Sequence, residues 1–223
     1  MKTYLSCSLA GLALLLNTAH AGGGLEGFGL PSNMDFYGGG SIGSSSEDGA
    51  CDAVNGTTSC EDSSTGYKIF AGARLAPTVN QNTLPTLGVE GGYINFGESS
   101  AEGVILSDRG FVIDNSSSES ETSAAYLAAV GYLPVAPRTE LLGKAGITYW
   151  SQDGKITSAT GETPSTTSSE SGIGTLLGVG AQYQINDNLS VRGEYEQAFG
   201  IGKDTSFATE PKMMSVGAVF STL

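Results

Sequence analysis

Six charged residues stand inside otherwise apolar or glycine-rich stretches: Glu90, Glu140, Lys144, Arg192, Glu194 and Glu196. Residues two or four apart share one face of an extended strand. Arg192, Glu194 and Glu196 therefore form one set, and Glu140 with Lys144 forms another. Paired carboxylates can perform general acid–base chemistry, or they can neutralise cations in a closed interior. The first use needs an activated nucleophile nearby. Serines are plentiful, as at Ser116 to Ser118 and at Ser168 and Ser169, but the sole histidine is His20, close to the N-terminus. A hydroxyl without an activating partner is a weak nucleophile. No enzyme activity is expected and no catalytic residue is assigned; the six charges read as an ion-pair network.

Other chemistry is limited. Cys51 and Cys60 lie in one acidic segment and are expected to close a short disulfide loop in an oxidising compartment. Two cysteines without a histidine complete no usual zinc site, so no metal and no cofactor is expected. The acidic residues cluster: Glu47, Asp48, Asp52, Glu61 and Asp62 in one segment; Glu98, Glu102, Asp108, Asp114, Glu119 and Glu121 in the next, opposed only by Arg109. Their spacing matches no dedicated calcium loop, and both segments read as solvated loops. A formal net charge of −13 argues against nucleic acid and against polybasic contact with anionic lipid.

The elements that must position these charges follow an export signal. Lys2, the apolar run Leu5 to Leu16 and the small-x-small site Ala19-His20-Ala21 make residues 1–21 a secretory signal peptide, with Gly22 opening the mature chain. The apolar run is shorter than the ~20 residues a helical span requires. Cys7 and His20 leave with the peptide. Residues 22–223 then fit a single β domain.

Eight segments of about ten residues alternate with turns and loops: 34–44, 66–75, 86–97, 124–134, 138–150, 172–185, 189–199 and 212–223. Val135-Ala136-Pro137 and Asn186-Asp187-Asn188 are short links, that between the second and third segments is modest, and the others are long. Asn and Asp suit a tight turn because they tolerate left-handed geometry. Short periplasmic turns and long outer loops are the asymmetry of an outer-membrane barrel.

Face polarity agrees. Leu189, Val191 and Tyr195 oppose Arg192, Glu194 and Glu196; Leu141, Ala145, Ile147 and Tyr149 oppose Glu140, Lys144 and Thr148; Leu177, Val179, Ala181, Tyr183 and Ile185 alternate with Gly178, Gly180, Gln182 and Gln184. A soluble ligand-binding barrel would alternate in the same way. Mixed charges amid glycines, as Glu90 with Gly88 and Gly92 or Lys144 with Gly146, fit a narrow, filled interior better than a ligand cavity. Tyr37, Tyr67, Tyr93, Tyr132, Tyr149, Trp150, Tyr183, Phe199 and Phe220 are candidates for interfacial girdles.

The runs Leu87-Gly88-Val89-Glu90-Gly91-Gly92-Tyr93, Leu177-Gly178-Val179-Gly180-Ala181-Gln182-Tyr183 and Asn186-Asp187-Asn188-Leu189-Ser190-Val191-Arg192-Gly193-Glu194-Tyr195 resemble the OmpA-like transmembrane barrel family. The resemblance covers most of the mature chain. It implies an all-β fold, an eight-stranded antiparallel up-and-down transmembrane β-barrel. It also implies that Glu90, Arg192 and Glu194, with Lys144, point inward as salt bridges that plug or gate the lumen. The pattern departs at two places: the family's fourth-strand lysine is replaced by Ala129 and its sixth-strand glutamate by Gln182. These departures weigh against a switching gate and leave a structural pairing of Glu90 with Arg192. The last residues, Phe220-Ser221-Thr222-Leu223, lack the terminal aromatic of many such barrels; Leu223 or Phe220 is the candidate substitute. No peptidoglycan-binding domain follows, so cell-wall anchoring is not expected.

The expectation is a monomeric structural protein of a Gram-negative outer membrane, in contact with outer-membrane lipid and lipopolysaccharide. Its acidic loops are free to meet host or environmental surface ligands. An adhesin or serum-resistance role through loops 47–65 and 98–123 is one alternative, and a small diffusion channel another.

Overall fold

The computed structural model describes residues 34–48, 59–61, 63–75, 85–106, 112–158, 166–201 and 210–222. Residues 1–33, with the expected signal peptide, and Cys51 of the expected disulfide lie outside them. Among the described residues nine strands form in chain order: β1 (Met34–Asp48), β2 (Ser59–Glu61), β3 (Ser63–Leu75), β4 (Thr86–Leu106), β5 (Val112–Ala136), β6 (Thr139–Ser158), β7 (Thr166–Gln184), β8 (Leu189–Phe199) and β9 (Glu210–Ser221). Eight of them close a ring in the order β1-β3-β4-β5-β6-β7-β8-β9, every contact antiparallel, with β9 returning to β1 from Tyr37↔Ser221 to Asp48↔Glu210. β2 is a short ribbon on β4 alone, at Cys60↔Ala101. Closure pairs the strand edges internally, which the hydrocarbon core of a bilayer demands.

Strand length divides the wall in two. A tilted span needs roughly 9–11 residues; β8 and β9, of 11 and 12 residues, are near that length. β4, β5, β6 and β7 run for 21, 25, 20 and 19 residues and continue well past it. Much of the segment 98–123, expected to be loop, is therefore strand: β4 and β5 pair from Glu98↔Glu121 up to Leu106↔Val112. Glu47 and Asp48 likewise lie in β1, Ser59 to Glu61 in β2 and Ser63 to Thr65 in β3. The Ser- and Gly-rich composition that suggested solvated loops does not forbid strand. A neighbour already in register supplies the hydrogen bonds that apolar alternation does not advertise.

The turns at the other end are tight. Pro137 and Arg138 join β5 to β6, with Arg138 at φ +66°. Asn186 Oδ1 accepts the backbone N–H groups of Asn188 and Leu189 at 3.0 and 2.9 Å. No residue of Asn186 to Asn188 adopts positive φ, so this turn uses the Asn side chain as an acceptor rather than its left-handed tolerance.

The two faces separate as alternation requires. Leu87, Leu127, Ile147, Ile173, Val179 and Val191 point outward and exposed, while the charged set points inward and buried. Three girdle candidates do not lie in a girdle: Tyr37, Tyr132 and Trp150 are buried inside. Tyr67, Tyr93, Tyr149, Tyr183 and Phe220 face out. Inward glycines make room for the large interior rings. A Cβ on Gly172 would stand 2.7 Å from Trp150 Cζ2, and one on Gly92 2.7 Å from Tyr126 Cε1.

Candidate functional site

The lumen holds one ion-pair cluster built from four strands. Glu90 of β4 receives four donors: Lys144 Nζ and Tyr126 Oη at 2.7 Å on Oε1, Arg192 Nη1 at 2.7 Å and Tyr37 Oη at 3.1 Å on Oε2. Lys144 of β6 also lies 2.6 Å from Glu194 Oε1 and 3.0 Å from Glu196 Oε1. Arg192 of β8 donates from Nε to Gln182 Oε1 at 2.9 Å, and its Cζ lies 4.9 Å from the Phe70 ring centre and 5.2 Å from that of Tyr37.

Sequence reasoning missed the cation that completes this cluster. Lys68 of β3 is buried, pairs with Glu194, and lies 2.7 Å from Glu196 Oε2. The signal was present: Lys68 alternates with Tyr67 and Ile69, which face outward. Lys68, Lys144 and Arg192 thus meet Glu90, Glu194 and Glu196, and the formal charges cancel. Charge balance is what a nearly solvent-free interior requires.

Glu140 stands apart from this cluster. It meets Arg74 of β3 at 2.9 Å, and Arg74 also lies 3.8 Å from Asp35. This partly exposed group lines a cavity of about 700 Å³ at the short-turn end, whose inner wall includes Tyr132, Gln182 and Arg192. Ala129 is not a lumen position: it faces outward, and Ala128 and Val130 are its buried neighbours. The apparent loss of a fourth-strand lysine therefore reflects a position on the lipid face. Gln182 does face inward and accepts from Arg192.

At the long-strand end β4 carries a bulge. The register shifts between Asn95 and Glu98, and Gly97 sits at φ +84°. Two residues are thus passed without partners, so Glu98 faces out and Ser99 in. The Phe96 carbonyl accepts from Ser64 Oγ at 2.8 Å and from Ser45 Oγ. Above it, buried Glu47 accepts from Ser99 Oγ at 3.2 Å.

As chemistry the cluster offers little beyond neutralisation. Glu194 and Glu196 are held by two lysines, and among the described residues no group of three or more His, Cys, Asp or Glu could hold a metal ion. The ring is apolar outside and ion-paired inside, and residues 31–222 of the chain match the family model of the OmpA-like transmembrane domain. The chain belongs to that family. As an OmpA-like barrel it is an outer-membrane protein, and its fold is similar to several solved structures. Ail, the attachment invasion locus protein of Yersinia pestis, is 14% identical, with 85% of this chain and 99% of Ail covered and a TM-score of 0.47. Neisserial surface protein A is 12% identical over 83% of this chain and 96% of its own, with a TM-score of 0.47. A major outer membrane protein of Thermus thermophilus is 16% identical over 85% of this chain and 99% of its own, with a TM-score of 0.49. Among curated protein sequences none matches this chain.

Proposed function

We propose that this OmpA-like barrel is a non-catalytic, monomeric scaffold with an ion-paired, closed lumen, whose function is exercised at the cell surface. One observation carries the reading. β4 to β7 remain paired far past the length of a bilayer span, from Glu98↔Glu121 to Leu106↔Val112 and from Ser151↔Ser171 to Ile156↔Thr166. The upper part of β7, from Thr166 to Gly174, stands on β6 in this projecting region. Paired strands that project past the bilayer carry a rigid surface that a partner outside the membrane can reach. The net charge of −13 favours a neutral or basic protein partner over a polyanion.

The test is replacement of 98–123 and 151–171 by short turns, which leaves the expected spans intact. Expressing cells should lose attachment to protein-coated surfaces while the barrel still inserts. Unchanged attachment with normal insertion would overturn the surface role. A small diffusion channel is the competing use of the fold, and the side-chain-filled interior argues for little current.

Three further assignments belong to the same reading. Cleavage after Ala21, a Cys51–Cys60 bond and contact with lipopolysaccharide fit a protein exported to a Gram-negative outer membrane. Intact mass of the purified protein tests the first two, through a chain starting at Gly22 that gains two hydrogens on reduction.

A further inference from the structure

The lumen changes character above the ion pairs. Following the strands toward the long-strand end, the inward side chains past the cluster include Ile94 and Phe96 on β4, Trp150 on β6, Leu176 on β7, Ala198 on β8 and Met213 on β9. All are buried, and Ile94, Leu176, Ala198 and Met213 expose 0% of their surface. They are part of the barrel's buried apolar set, which also includes Phe70, Tyr132 and Val219 beside and below the ion pairs, and the buried Thr148 lies between Lys144 and Trp150 on β6.

Their arrangement roofs the charges. Gly178 makes room for the pair below it, since a Cβ there would lie 2.9 Å from Lys144 Cγ and 3.0 Å from Glu196 Cγ. Leu176 is the next inward residue above Gly178, and Ala198 the next above Glu196. Where β3 offers only Gly66, Met213 crosses to fill the gap, its Sδ 3.3 Å from the place of a Cβ on that glycine. Trp150 lies over Gly172 and Gly174 in the same way. The bulge after Asn95 ties the Phe96 backbone to β1 and β3 through Ser45 and Ser64.

We infer that this apolar layer, and not the ion-pair cluster beneath it, is the barrier to water and ions through the barrel. Ion pairs that rearrange leave polar groups that water can follow. An apolar layer gives water no partners, so a cavity of that lining stays dry and a constriction of that lining blocks by dewetting. The large cavity at the short-turn end reaches Arg192 and stops below this layer. The inference rests on the closed membrane-spanning barrel proposed above and is independent of any surface partner.

The experiment compares the refolded, heat-modifiable barrel with its variants in planar lipid bilayers in potassium chloride. Lys68→Met with Glu196→Gln removes one charge of each sign and leaves the layer whole. Phe96→Ala with Leu176→Ala and Met213→Ala does the reverse; Leu176→Ser is a single, milder version should the triple variant fail to refold. Parent and charge variant should give no current steps, and the layer variants discrete ones. Trp150 is the only tryptophan and sits in the layer, so its emission gives a second readout. Iodide should leave it unquenched in the parent and charge variant and quench it in the layer variants. Current or quenching in the charge variant, or inserted layer variants that stay silent and unquenched, would overturn the inference.

Discussion

Glu90 is the residue on which the interior depends most. It accepts from two cations and two phenols and exposes 0% of its surface. Glu90→Leu would strand Lys144 and Arg192 without that partner, and breaking a buried pair in this way costs about 3–5 kcal/mol. Glu140→Leu breaks the Arg74 pair, whose side chains keep 20% and 24% exposure, and should cost less than about 1 kcal/mol. Urea unfolding of the refolded barrel, followed by Trp150 fluorescence, distinguishes the two; equal losses would mean that the cluster is not the buried unit described here. Glu47 lies beyond the apolar band of β1, whose last large outward side chain is Ile42. Burial raises its carboxyl above the usual range, offset in part by hydroxyl hydrogen bonds. Below the unfolded pKa both states hold the proton and nothing is lost. As pH rises through the raised folded pKa the barrel must bury a charge, so stability falls across that window. Glu47→Gln should remove this fall, making the variant more stable than the parent at neutral pH and equal to it in acid.

At the scale of elements, the Pro137-Arg138 turn and the lipid-facing rows make opposite predictions. Proline at the first central position supplies the φ that such a turn wants, but Arg138 at φ +66° occupies a region that favours glycine. Arg138→Gly should stabilise the β5–β6 hairpin by roughly 1 kcal/mol, the cost of left-handed backbone for an L-residue. A loss of stability on that change would show that the arginine side chain compensates for its backbone. On the outer face, Val179 is exposed in the middle of β7 and Ser169 lies in the part of β7 beyond β8. An arginine at the bilayer midplane costs ~2–4 kcal/mol and one near the interface ~0–1. Val179→Arg should therefore be costly and Ser169→Arg nearly neutral in reconstituted lipid. Equal costs would place β7 at a different depth.

For the whole molecule, closure is the property that matters. The β9–β1 seam is continuous over twelve residue pairs, so no strand edge is left along the span. A closed, ion-paired barrel should keep its compact shape in SDS until it is boiled. The expected result is a band that migrates faster unheated than boiled, recovered from the outer-membrane fraction. A soluble periplasmic protein without a mobility shift would invert the inside and outside faces and make a ligand-binding barrel the leading interpretation.

Strand number, strand order and the face each residue takes were legible because a period-two pattern is local: each strand writes its own inside and outside in the chain. The alternation of Val191 and Tyr195 with Arg192 and Glu194 needed no knowledge of neighbours, and the motifs around Glu90 and Arg192 carried the family. The same logic could have found Lys68, which alternates with Tyr67 and Ile69 like its counterparts. What alternation does not encode is height along the barrel. Whether Glu194 meets Lys68 across the lumen, or Glu140 stays with Arg74 near the mouth, depends on strand tilt and stagger, which closure alone fixes. Trp150 shares the face of Lys144 and Thr148 and was legible in the same way, whereas Tyr37 and Tyr132, with no charged residue on their own strands' inner faces within the span, needed the assembled barrel to place their rings inward. So did the bulge that turns Glu98 outward and the serine-rich strands of β4 to β7. Their hydrogen bonds come from a neighbour's register, a tertiary property that no single segment carries.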